Sequence, residues 1–142
     1  MTQKRKILWL EQHKSYVEAL VYMLKEGGFE VQTCTSIAEA IVHLEQHGPP
    51  DLLIYENALP IFGTEYTLAE TDQGMRAGEV FVARYVRRHY PTLRVWMVTT
   101  ALAHSATVRA AIRPEEYSWA TSKFDLRPSY IVGAVKRILR VP

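Results

Sequence analysis

Asp51-Leu52-Leu53-Ile54-Tyr55-Glu56-Asn57-Ala58-Leu59-Pro60 is the stretch that decides the fold. Leu52 to Tyr55 runs apolar without alternation, the mark of a strand covered on both faces. Glu56 then stands at the strand's C-terminal tip. In an open α/β sheet, a carboxylate placed there faces the crevice where such folds bind their ligands.

Upstream, Ile7 to Leu10 is a second short apolar run bounded by charge. Val17, Leu20, Val21 and Leu24 follow helical spacing, and Gly27-Gly28 supplies the stop. Phe29 to Thr33 alternates like a strand. Ser36 and Glu39 make a capping box for a helix with Ile37, Ala40, Ile41 and Leu44 inward, ended by Gly48-Pro49-Pro50. Downstream, a long connection from Ile61 to Gly74 precedes a helix over Gly78 to Tyr90. Val95 to Thr99 reads as a fourth strand. Val108, Ala111 and Ile112 suggest a further helix stopped at Pro114. Tyr117 to Thr121 reads as a fifth strand. Pro128 fits the first turn of a last helix that faces Ile131, Val135, Ile138 and Leu139 inward. Alternation of five strands with five helices predicts parallel βαβ units in a doubly wound α/β sheet.

With 142 residues the chain is read as one domain over 1–142, large enough to bury a core. Its 48% hydrophobic and 23% charged content is that of a globular protein. Seventeen basic against fifteen acidic residues are too balanced to argue for a nucleic-acid or membrane partner. The basic side of Arg84, Arg87, Arg88 and His89 does not change that expectation, because no reading-helix motif accompanies it. The single Cys34 falls in a strand and reads as a buried, inert thiol in a reducing cytoplasm. The first apolar stretch ends at Leu10, too short for a signal peptide's core, so the expected location is cytoplasmic.

The segment 51–60, with Thr99 and Thr121-Ser122-Lys123-Phe124-Asp125-Leu126, resembles the response-regulator receiver (CheY-like) family. The likeness covers nearly the whole chain. It implies a flavodoxin-like five-stranded parallel sheet in the order 2-1-3-4-5, with five helices. It also implies five site positions: an acidic pair, a phosphoacceptor aspartate, a hydroxyl, an aromatic switch and a lysine. Three carboxylates would hold Mg²⁺, while the metal and lysine neutralise the phosphoryl oxygens.

This sequence departs from that pattern. The acidic pair maps to Glu11 and Gln12, so one carboxylate is gone. The acceptor maps to Glu56, and Thr99 matches the hydroxyl position. Trp119 stands at the aromatic switch position. Ser122 falls where the lysine belongs, with Lys123 adjacent; its Cβ is expected to point away from the position family lysines use, while its side chain can still curl back towards Glu56. The extra methylene of Glu56 pushes its carboxylate about 1.5 Å outward, a misplacement that costs on the order of a hundredfold in rate. The expectation is a degenerate receiver acting as a phosphorylation-independent protein-interaction module, not an enzyme. It would carry no catalytic residue and no cofactor, with Mg²⁺ at most weakly held by Glu11 and Glu56. Expected partners are a histidine kinase, an output domain or a second copy. The alternative is a genuine phosphoacceptor using Glu56 in an altered metal site. A second alternative, a flavodoxin-like small-molecule binder, lacks a phosphate nest in Glu11-Gln12-His13-Lys14.

Two further features bear on partners. The insertion at 61–74 brings Phe62, Tyr66 and Leu68 among Thr and acidic residues and is expected to lie over the site, as a lid, a binding loop or a tolerated insertion. Arg109, Arg113, Tyr117, Trp119, Tyr130, Lys136 and Arg137 populate a face with the residue types of interface anchors. His13, His43, His47, His89 and His104 are read as scattered, with no zinc site among them.

Overall fold

Strand β1 (Lys6–Leu10) opens the fold. A 3₁₀ turn at Lys14–Tyr16 leads into α1 (Glu18–Glu26). Next come β2 (Glu30–Cys34), α2 (Ile37–His47) and β3 (Leu52–Tyr55). Helix α3 runs from Ala77 to His89, with a π-helical stretch at Val82–Val86. After β4 (Arg94–Thr99), β5 (Ser118–Ser122) passes through a 3₁₀ turn at Lys123–Asp125 into α4 (Pro128–Leu139). This computed structural model describes residues 3–99 and 118–142. The expected helix around Val108 to Ile112, with Arg109, Arg113 and Tyr117, lies outside the described residues.

The five strands form one parallel sheet in the order β2-β1-β3-β4-β5, the doubly wound topology expected from the sequence. Alternation along each strand divides the core in two. Leu8, Leu10, Leu53, Tyr55, Val95 and Met97 face α2 and α3. Ile7, Trp9, Leu52, Ile54, Trp96 and Val98 face α1 and α4. Burial on both faces is why the central strands read as unbroken apolar runs. The helices answer with single apolar stripes: Leu20 and Leu24 on α1, and Ile131, Val135, Ile138 and Leu139 on α4. At the start of α2, the Ser36 hydroxyl accepts from Glu39 N–H at 3.1 Å, as the capping box requires. Cys34 is buried beneath α2, and burial pushes its thiol up to about 12, which leaves it inert.

The 61–74 segment is anchored to the α2 and α3 layer. Tyr66 and Ile61 belong to the apolar cluster that holds Ile37, Ala40 and Phe81, and Gly63 comes against Ala38. The guanidinium of Arg84 on α3 holds Glu70 at 3.0 Å and sits 5.9 Å from the Tyr66 ring centroid. Inside the segment, Thr67 and Glu70 cap each other, and the buried Thr71 hydroxyl donates to Thr67 O at 2.7 Å. Tyr66 and Glu70 fasten the segment to the helices, while its threonines hold it together internally. Phe62 remains 68% exposed.

Candidate functional site

Parallel register assembles the site. Leu10 pairs with Tyr55, so Glu11 and Glu56 emerge side by side at the ends of β1 and β3. The ladder continues one step, with Glu56 N–H donating to Leu10 O at 2.9 Å. Thr99 closes β4 and pairs with Ser122, the last residue of β5, so Lys123 begins just beyond them. Four chain segments distant in sequence therefore deliver two carboxylates, one hydroxyl and one ammonium to a single crevice.

Glu11 and Glu56 are each 3% exposed, and Thr99 is fully buried. The Thr99 hydroxyl donates to Glu56 Oε1 at 2.9 Å. The Lys123 ammonium donates to Glu11 Oε1 and lies 3.2 Å from Glu56 Oε2 as an ion pair. Glu56 Oε2 completes no hydrogen bond with any described group. The second Glu11 oxygen accepts from His13 N–H at 3.2 Å. Tyr16 lies across the mouth, its ring centroid 5.8 Å from the Lys123 nitrogen, a cation–π contact the sequence gave no reason to expect.

Electrostatics follow from this crowding. Burial pushes the Glu56 carboxyl above its ordinary value; the Lys123 charge and the Thr99 hydroxyl offset that only in part, and the Glu11 charge adds to it. Burial pulls Lys123 down, but its hydrogen bond to Glu11 and the charges of Glu56 and Glu11 outweigh that, leaving it above its ordinary value. Lys123 is thus a fixed cation at neutral pH, and an ammonium shared by two buried carboxylates is the dominant electrostatic fact of the crevice.

The sequence alignment set Ser122 at the lysine position and left the Lys123 side chain room to curl back towards Glu56. In the structure Ser122 is extended, Lys123 opens a 3₁₀ turn, and the Lys123 side chain returns to both carboxylates. Gln12 is exposed beside the crevice. Trp119 takes its place in β5 opposite Trp96. Tyr130 is 60% exposed, Arg137 is exposed and Lys136 is half-buried on α4.

Sequence reasoning missed Asn57. It is fully buried, its Oδ1 accepts from Glu79 N–H at 2.9 Å, and its Nδ2 donates to Glu79 Oε1 at 3.1 Å. Its carbonyl accepts from Gly78 N–H at 2.9 Å, and Arg76 Nε donates to the second Glu79 oxygen at 2.8 Å. One asparagine therefore pins the first turn of α3 to the residue after Glu56. The available signal was an asparagine directly after a buried strand with Gly-Glu opening the next helix. Asn57→Ala will cost about 2 kcal/mol in urea unfolding, because Glu79 loses partners inside the fold. A neutral result would show that water replaces the amide.

Among the described residues, no three His, Cys, Asp or Glu side chains converge in a way that holds a metal ion. No described helix is long and apolar enough to cross a membrane.

No family model matches this sequence, and no curated protein matches it either. Solved structures do. A CheY-like response regulator receiver domain protein from Methanospirillum hungatei JF-1 superposes with a TM-score of 0.72 at 16% identity, over 97% of this chain and 95% of that one. This chain has the receiver fold. The signal receiver domain of an HD domain-containing protein from Pseudomonas fluorescens Pf-5 gives a TM-score of 0.69 at 18% identity, covering 97% and 96% of the two chains. Chemotaxis response regulator CheY4 of Vibrio cholerae gives 0.64 at 19% identity, over 96% and 99%. The receiver fold accounts for the sheet order and for the crevice at the tips of β1, β3 and β4. The side chains that fill the crevice are this chain's own.

Proposed function

We propose that this chain is a receiver-type signalling module that engages a protein partner without being phosphorylated. The observation that carries this reading is the Lys123 ammonium seated on both Glu11 and Glu56. One ammonium cancels half the charge of the two carboxylates and must be displaced before Mg²⁺ can use them as part of its near-octahedral oxygen shell. With Gln12 neutral, the crevice supplies two carboxylates and a competing cation, a poor fit to that ion. Thr99 donates to Glu56 Oε1, which ties that carboxylate into the same arrangement. The exposed Tyr130 and Arg137 on α4 are of the residue types that anchor interfaces.

Incubation with acetyl phosphate or beryllofluoride and Mg²⁺ tests this reading. We expect an unchanged intact mass and no binding isotherm. An adduct abolished by Glu56→Ala would overturn the reading in favour of a glutamyl phosphoacceptor.

A further inference from the structure

The N-terminal ends of β1 and β2, opposite the crevice, frame a cavity of about 430 Å³ with the last turn of α2. Lys6, Glu30, Gln32, His43 and His47 line it. An amphipathic helix ordinarily closes such a sheet edge with apolar side chains; here it presents two imidazoles. His43 and His47 are one helical turn apart, which puts them on one face. Their ring centroids lie 4.6 Å apart, tilted by 38°. Glu30 and Gln32 alternate in register with Cys34, whose side chain packs under α2, so they belong to the face of β2 that α2 covers.

We infer that His43 and His47 form a two-imidazole chelate for a late first-row divalent ion, Zn²⁺ or Cu²⁺. Two histidines four apart lie on one helix face within reach of a single ion, the spacing helical zinc motifs use. Imidazole suits these ions, and the Irving–Williams order places Cu²⁺ above Zn²⁺ for the same ligands. The rings must be neutral to bind. No group of three His, Cys, Asp or Glu ligands forms among the described residues, so water completes the ion's shell. This inference does not depend on the reading of the crevice.

Tag-free protein titrated with ZnCl₂ and with CuCl₂ by calorimetry, beside melting curves in metal and in EDTA, provides the test. We expect one ion per chain, Cu²⁺ tighter than Zn²⁺, and a melting temperature that rises with metal. His47→Ala removes an exposed ring at the end of α2 and leaves the EDTA melting curve unchanged. It will weaken binding about a hundredfold, because the second imidazole binds intramolecularly. His13→Ala, at the crevice, will leave binding as it was. Absence of binding in the wild type overturns the inference, as does binding that His47→Ala leaves intact.

Discussion

Lys123→Met will lower folding stability by about 3–5 kcal/mol at neutral pH, read from urea or thermal unfolding, because it strands two buried carboxylates without their cation. Three observations set that size. Glu11 and Glu56 are each 3% exposed, the Lys123 side chain is 12% exposed, and one ammonium serves both acids. Exposed ion pairs contribute about 1 kcal/mol or less, so a loss that small would show the cluster to be solvated and the crevice open. A triple variant, Lys123→Met with Glu11→Gln and Glu56→Gln, will recover most of the loss, since a neutral cluster has no charge to desolvate.

The same cluster fixes the pH dependence. Lys123 has a folded pKa above its ordinary 10.5, so its contribution is complete below that value and fades as pH rises through the folded pKa. Glu56 has the opposite consequence. Its folded pKa is raised, so its contribution is present below the ordinary 4.5 and lost as pH climbs through the folded value. In Lys123→Met the Glu56 carboxyl, without the cation that offsets its burial, binds its proton more tightly still. The deficit of that variant will therefore be largest near neutrality and shrink on acidification. A deficit independent of pH would point to lost packing rather than charge.

Gly78→Ala will destabilise by about 3 kcal/mol, the upper range for overpacking a filled site. An added Cβ would meet the Glu56 carbonyl oxygen at 2.5 Å, Tyr55 Cδ2 at 2.8 Å and Asn57 Cα at 2.9 Å. Two of those three atoms are backbone and cannot rotate aside. The sign makes the test sharp, because glycine to alanine inside a helix ordinarily gains about 0.5–1 kcal/mol. Gly133 in α4 supplies the contrast. Its Cβ would meet only the far end of Arg137, at 3.6 Å, so Gly133→Ala will follow the ordinary rule and stabilise. Equal signs for the two substitutions would mean that α3 is not held against the end of β3. A displaced α3 would also loosen the Asn57 clamp beside Glu56.

Much of the fold was legible before any coordinates. Leu52 to Tyr55 and Ile7 to Leu10 announced strands buried on both faces, and strict alternation of element types left a parallel sheet as the economical solution. Ser36 and Glu39 located the start of α2. The end of β3 placed Glu56 in the crevice, and the end of β4 placed Thr99 there, because a strand's tip is fixed by where its apolar run stops.

The tertiary structure decided what a linear reading of positions cannot carry. Whether Lys123 curls back onto the carboxylates stayed open in the sequence because alignment counts residues, whereas a 3₁₀ turn redirects a side chain, and a four-carbon stem reaches whichever buried anion lies within its span. How the 61–74 segment is fastened was not legible, because Tyr66, Glu70 and Thr71 look alike in a lid and in an anchored loop until Arg84 and the α2 surface are in place. Strand ends follow from local hydrophobic pattern, which the chain encodes residue by residue. The partner of a buried charge follows from which segments the sheet order brings together, and that is a property of the assembled fold alone.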